Sequence, residues 1–390
     1  MKVAIVLNTS WNIFNFRMNF VKALLDQGHE VHTIAPVDDY THYLIEAGCQ
    51  HHNVYMDSRG ANLIKDMALI AELTDIYNRV KPDVILHYTI KPNVYGTLAA
   101  ALLRIPVINN VCGLGTVFLK EGIVSVIAKI LYKISFCFPE KVFFQNPEDM
   151  KLFIEKKLVP ADKVEMLPGS GIDVSQFKPA AFKQNKVFTF LLVSRLILDK
   201  GIMEYVEAIR ILKAQGINAK FQLLGAKDPE HKRGIQLDII NGWIKEGIVE
   251  YLGKTDDVRP FVNAADCVVL PSYREGSPRS LMEAACLAKP IVTTDVAGCR
   301  QVVEDGVNGL LCKVQSAEDL STKMKMMMDM PVSERQIMGL NGRHKMETEF
   351  SDVIVLNKYV NAMNEILCDV PVPCLEEEYQ PGLQSQPASR

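Results

Sequence analysis

The chain has 390 residues, of which 48% are hydrophobic and 23% charged, and its formal net charge is −3. That length exceeds what one ordinary core supports and predicts two domains of roughly 180 residues each, while the composition excludes a disordered or fibrous protein. The slightly acidic balance argues against a nucleic-acid partner, because contacts to a phosphate backbone need a basic surplus.

The apolar run Met1-Lys2-Val3-Ala4-Ile5-Val6-Leu7 has no cleavage site after it and predicts a first strand, not a secretory signal. Further strand-like runs follow at 30–35, 52–56, 83–88, 106–111, 141–145 and 163–167, with helix-period segments at 16–27, 61–80 and 94–104 between them. Continuous apolar strands separated by helices predict a parallel sheet covered on both faces. The pattern restarts with strands at 187–193, 220–224, 249–252, 267–270 and 290–293, and helices among them at 201–215 and 280–287. The expected fold class is α/β: two Rossmann-like, doubly wound domains, 1–180 and 181–350, facing a central cleft. A last helical segment, 351–367, is expected to pack back on the N-terminal domain, and the apolar-poor tail 368–390 to be disordered.

Nine cysteines without a Cys-x-x-Cys pair predict reduced thiols in a cytosolic compartment. No zinc-type spacing and no Asp-x-Asp pair is evident, so no metal is expected. The apolar stretch 122–138 is interrupted by Lys129 and Lys133, which share one helical face. It is too short and too charged to span a bilayer. It reads either as a core helix whose lysines reach solvent or as a helix lying against anionic lipid, which would place the protein peripherally on the cytoplasmic face of the inner membrane.

The most informative segment is Pro271-Ser272-Tyr273-Arg274-Glu275-Gly276-Ser277-Pro278-Arg279-Ser280-Leu281-Met282-Glu283, which leads from a buried strand into a helix. A sheet of this type binds its ligand at that end, and the N–H groups around Arg279 and Ser280 would present partial positive charge to a diphosphate. Glu275 and Glu283 form a Glu-x7-Glu pair able to accept hydrogen bonds from two sugars of one nucleotide-sugar. Ser280-x-x-Glu283 equally matches a capping box, in which Glu283 merely closes the helix start. After an earlier strand come Arg195 and Lys200-Gly201, two cations suited to a leaving diphosphate, or else a solvated turn. Gly171-Ile172-Asp173 lies between the halves, where glycine lets backbone approach a phosphate or simply makes a turn.

In this order the motifs resemble the donor site of retaining GT-B glycosyltransferases of family 4. The resemblance implies that Glu275 contacts the donor sugar, Glu283 the ribose, and Arg195 and Lys200 the diphosphate. Gly276, Ser277, Arg279, Ser280, Gly171 and Asp173 would complete the donor pocket. The N-terminal half departs from the family. No Gly-Gly turn precedes the first helix, and Cys112 stands where many members carry a His, so no catalytic His is carried over. Phe16-Arg17-Met18, Lys91-Pro92-Asn93 and Gly113-Leu114-Gly115 are similar instead to a bacterial subgroup that extends undecaprenyl-diphosphate-linked glycans, N-acetylgalactosaminyltransferases among them. This implies a hexosyltransferase that takes a UDP-sugar and a lipid-linked sugar acceptor, with Arg17, Lys91, His87, Gly113 and Gly115 toward the acceptor. Rival readings are a nucleotide-sugar epimerase of the same architecture and a catalytically silent nucleotide-sugar-binding subunit. An NAD-dependent oxidoreductase is disfavoured, because Gly-x-Gly-x-x-Gly follows neither first strand.

Overall fold

The computed structural model describes residues 1–57, 62–113, 123–181, 185–228 and 231–367. The expected tail 368–390 lies outside them. The chain divides into two units, Met1–Gly171 together with the segment from Asp352 onward, and Ile172–Ser351.

The first unit is a parallel sheet of seven strands in the order β3-β2-β1-β4-β5-β6-β7. Its strands are β1 Lys2–Val6, β2 Glu30–Ile34, β3 Gln50–His52, β4 Val84–Tyr88, β5 Val107–Val111, β6 Lys141–Phe144 and β7 Val164–Met166. The helices between them are α1 Ser10–Asp26, α2 Thr41–Glu46, α3 Leu63–Val80, α4 Thr97–Leu103, α5 Ile123–Ser135 and α6 Pro147–Glu155. A π-helical turn, Pro92–Gly96, precedes α4. The second unit repeats the plan with six parallel strands ordered β10-β9-β8-β11-β12-β13. These are β8 Phe188–Val193, β9 Ala219–Leu224, β10 Glu250–Tyr251, β11 Cys267–Leu270, β12 Ile291–Thr294 and β13 Gly309–Cys312. Its helices are α7 Ile202–Ala214, α8 Leu237–Lys245, α9 Arg259–Ala264, α10 Arg279–Cys286, α11 Ala297–Val302, α12 Ala317–Asp329 and α13 Val332–Glu349. The final helix α14, Asp352–Ile366, belongs to the first unit, where Leu356, Tyr359 and Met363 join the cluster built on Ile5, Phe20 and Leu86.

Two boundaries differ from expectation for physical reasons. Helix α1 begins at Ser10 and not near 16, because the Thr9 side chain accepts from the Asn12 amide and caps the helix two turns earlier. The third strand is 50–52 and not 52–56: Gln50, His51 and His52 pair with His32, Thr33 and Ile34, while Val54 and Met56 bury against α3 residues such as Leu69 and Leu73. The domain boundary also falls earlier than residue 180. Val174 and Phe177 pack on the second unit's core, and Arg343 of α13 donates to their carbonyl oxygens at 3.0 and 2.5 Å.

In each sheet the strand order reverses once, between β1 and β4 and between β8 and β11. Such sheets hold ligands at the carboxyl edge beside this reversal.

Candidate active site

In the second domain the chain leaves β8 through Ser194 and Arg195, makes one tight turn at Leu198–Lys200, and enters α7 at Gly201. Gly201 has φ +69°, and a Cβ there would lie 1.9 Å from the Pro271 carbonyl oxygen. Only glycine permits that backbone conformation and that approach together. The loops after β8 and β11 are therefore locked across the reversal point. The Asp199 carbonyl accepts from the Tyr273 amide at 2.9 Å and from Ser272 Oγ at 3.0 Å. Thr294 Oγ1, at the end of β12, donates to the Ser272 carbonyl at 2.5 Å.

This lock brings Lys200 Nζ to 2.5 Å from Glu275 Oε1. The two side chains are 23% and 11% exposed, so both face a partly water-excluded crevice. Arg195 stands exposed in the same loop and makes no ion pair with another described residue. Lys200 and Glu275 thus meet at the carboxyl edge, in the loops that precede α7 and α10, and Arg195 lies in the first of these loops.

The capping-box alternative for Glu283 is not realised. Helix α10 starts at Arg279 with Pro278 as its N-cap and no side-chain cap bond. Glu283 Oε1 instead accepts from Arg279 Nε at 3.1 Å. Burial pushes the Glu283 carboxyl up and Arg279 partly offsets it. The Arg279 guanidinium also sits 5.8 Å from the centre of the Phe177 ring. Gly276 and Ser277 form the half-buried turn between Glu275 and α10, with Ser277 Oγ 3.4 Å from Met282 Sδ, and Ser280 lies half-buried in the first turn of α10.

Four of the expected site residues already make contacts within their own domain. Asp173 is spent on its own turn: its carboxylate accepts from the Ser175 amide and hydroxyl and from the Gln176 side chain at 2.9, 2.6 and 2.7 Å. Gly171, at φ +71°, serves packing, since a Cβ there would lie 2.5 Å from Asp352 Cα at the start of α14. His87 is fully buried in β4, between Tyr77 Oη at 2.9 Å and Asn109 Oδ1 at 3.1 Å, and burial lowers its pKa to about 3. It is a neutral internal connector. Lys91 pairs at 2.8 Å with the buried Asp66, which also accepts from Tyr95 Oη at 2.9 Å, so its charge is already balanced.

Arg17 differs from these. It is 6% exposed, stacks 4.6 Å over the Tyr88 ring, and has no carboxylate partner among the described residues. Gly113 follows β5 with φ +141°, and Gly115 lies outside the described residues. The Cys112 thiol is pushed up by burial and stays neutral, so it takes no proton as a histidine would.

Sequence reasoning missed Asp199, Ser272 and Thr294. Asp199 acts through its main chain, which leaves no side-chain signature. The hydroxyls of Ser272 and Thr294 could be suspected only from their positions at the ends of β11 and β12.

Residues 2–146 match the family described as Glycosyl transferase 4-like, and residues 173–345 match Glycosyl transferases group 1. The chain is a GT-B glycosyltransferase. A Campylobacter jejuni N,N'-diacetylbacillosaminyl-diphospho-undecaprenol alpha-1,3-N-acetylgalactosaminyltransferase is 28% identical to this glycosyltransferase, over 95% of this chain and 100% of that protein. An Escherichia coli UDP-Gal:alpha-D-GlcNAc-diphosphoundecaprenol alpha-1,3-galactosyltransferase is 24% identical over 80% of this chain and 82% of its own. Among solved structures, Anabaena HepE in complex with UDP and glucose superposes with a TM-score of 0.75 at 18% identity, covering 95% of this chain and all of HepE. A Rickettsia africae glycosyltransferase gives 0.76 at 17% identity over 95% of this chain. These two likenesses show the shared fold.

Proposed function

We propose that this glycosyltransferase moves a hexose or N-acetylhexosamine from a UDP-sugar to a lipid-diphosphate-linked sugar, with retention of anomeric configuration and without a metal ion. The observation that carries the reading is the Lys200–Glu275 contact at the carboxyl edge where the second sheet reverses, in a loop that also carries the exposed Arg195. Arg195, Lys200 and the N-terminus of α10 offset the diphosphate charge, which is why no cation is needed. Glu275 holds a donor-sugar hydroxyl, and Glu283 the ribose once Arg279 yields. The bond from the anomeric carbon to the diphosphate oxygen breaks as the acceptor hydroxyl bonds to that carbon on the same face. The departing diphosphate takes the acceptor proton, a route that requires no histidine at position 112. The two lipid-linked-sugar transferases among its relatives support the acceptor class.

We further propose peripheral contact with an anionic membrane through α5. Among the described residues no helix is long and apolar enough to cross a membrane. On α5 and the turn that follows it, Tyr132 and Phe136 bury inward, while Val126, Ile127, Ile130, Ile134 and Phe138 stand 49–53% exposed beside Lys133. An exposed apolar stripe flanked by lysine fits an acidic lipid surface.

The test is a thermal-shift screen of UDP-sugars, then transfer to polyprenyl-diphosphate-linked sugars with product stereochemistry read by NMR. Donor binding with an α-linked product from an α-configured donor supports the reading. Epimerised donor formed without acceptor, or tight donor binding with no transfer across the acceptor panel, overturns it. For the membrane contact, Ile130→Asp/Ile134→Asp should abolish co-sedimentation with phosphatidylglycerol vesicles. Equal binding by variant and wild type removes it.

A further inference from the structure

Among the described residues, four buried polar atoms at the carboxyl edge of the first sheet have no hydrogen-bond partner: Arg17 Nε, Tyr88 Oη, Thr89 Oγ1 and Asn93 Oδ1. They belong to one connected group. The Asn93 amide donates to the Thr89 carbonyl at 3.1 Å, and Asn93 Nδ2 donates to the Asn110 carbonyl at 2.7 Å. Asn110 Nδ2 in turn donates to Tyr359 Oη on α14. Cys112 Sγ lies 3.5 Å from Asn110 Oδ1 and also borders Arg17 and the Thr89 main chain. Arg17 Nη1 donates to the Phe16 carbonyl at 2.8 Å, and its plane rests on Tyr88.

A buried guanidinium normally has an acid beside it, since an uncompensated charge in a low-dielectric site is costly. Around Arg17 the described groups are neutral: Tyr88, Tyr359 and a thiol that burial keeps protonated. Thr89 adds a second anomaly. It is β-branched yet sits at φ +66°, a strained left-handed conformation that persists only where the surroundings enforce it. Thr89 and Cys112 remain half-buried, so the group reaches the surface between the ends of β4 and β5. Thr89 itself follows β4, one of the two strands at which this sheet reverses.

We propose that Arg17 supplies the counter-charge for a phosphoryl group of a substrate bound at this edge of the first domain, with Thr89 Oγ1 donating beside it and Asn93 Oδ1 accepting a hydroxyl of the attached sugar. The unmet groups suit a sugar phosphate: Arg17 Nε and the Tyr88 and Thr89 hydroxyls as donors for phosphoryl oxygens, and Asn93 Oδ1 as an acceptor for a sugar hydroxyl. A planar guanidinium fixed by stacking is suited to a phosphate in a way a lysine is not. The assignment of the phosphate to a transferase substrate rests on the function proposed above. Its source is either the lipid-linked acceptor or the nucleotide-sugar donor.

Inorganic pyrophosphate is the probe, titrated calorimetrically into the full-length protein carrying Lys200→Met, which weakens the second-domain phosphate site. Binding should persist in that variant and weaken tenfold or more when Arg17→Met is added. Without ligand, Arg17→Met alone should melt at or above the wild-type temperature, because it removes an uncompensated buried charge. A clear drop in melting temperature with unchanged pyrophosphate affinity would mean that Arg17 is structural, and would overturn the proposal. Should Arg17→Met not fold, Arg17→Lys with Lys200→Met decides: binding weakened several-fold supports the site, unchanged binding overturns it. In transfer assays, a tenfold rise in acceptor KM assigns the phosphate to the lipid-linked sugar, a rise in donor KM assigns it to the nucleotide-sugar, and a rise in neither overturns the proposal. If the wild type transfers no sugar while pyrophosphate binding still depends on Arg17, the transferase reading fails and the anion site stands.

Discussion

The two domains share one plan, a parallel sheet with a single reversal of strand order, yet they treat the carboxyl edge of that reversal differently. In the second domain the edge is locked by main chain: Gly201 against Pro271, and the Asp199 carbonyl against Ser272 and Tyr273. Its charged side chains project from a scaffold already satisfied. In the first domain the polar side chains are themselves buried, with His87 between Tyr77 and Asn109, Lys91 on Asp66, and Arg17 without an acid among the described residues. Charged groups at such an edge can thus be held on a rigid turn, or buried with no described acid beside them. The first arrangement pairs Lys200 with Glu275 and leaves Arg195 exposed, while the second carries a buried charge at a cost to stability.

The sharpest break in this comparison comes from the rim. Lys200→Ala, Arg195→Ala and Glu275→Ala should each lower turnover by about 10²-fold or more, the scale of losing one preorganised transition-state contact. Initial rates near wild type in all three would dissolve the donor site. Gly201→Ala should cost roughly 3 kcal/mol in a urea titration, combining backbone strain with collision against Pro271. A loss under about 0.5 kcal/mol would mean the two loops are not locked.

Acid should distinguish the domains next. His87, with a pKa lowered to about 3 by burial, is neutral in the fold and takes a proton below pH ~6.5 once unfolded. Its contribution is therefore present in full above pH ~6.5 and lost as the pH falls toward 3, about 2 kcal/mol by pH 5. Burial also lowers His29, His32, His51 and His52, all in the first domain, and these act in the same sense. Urea midpoints monitored domain by domain at pH 7 and pH 5 should fall mainly for the first domain, and a uniform fall would contradict this. The smallest effect is expected from Ser272→Ala, about 1 kcal/mol for one lost side-chain bond to Asp199. Its KM for a UDP-sugar should rise only a few-fold, since the Tyr273 amide still holds that carbonyl.

The alternation of apolar runs and helical periods was enough to establish two α/β domains, and the places of Arg195, Lys200 and Glu275 in loops after buried strands, with Glu283 in the helix that follows, could be read along the chain. Local chemistry sufficed there: a strand end, a turn and a helix start lie within a dozen residues, and their spacing is written along the chain. The fate of His87, Lys91 and Asp173 was not legible, because their partners Tyr77, Asp66 and Gln176 carry no mark that sets them apart from surface residues. Nor could sequence show that Gly171 is required by Asp352, or that Tyr359 closes the group around Arg17, since those contacts join segments about 180 and 340 residues apart. Periodicity and strand-end position are local properties that a linear reading recovers. Whether a buried polar group is satisfied depends on what long-range packing brings beside it, and only the tertiary structure decides that.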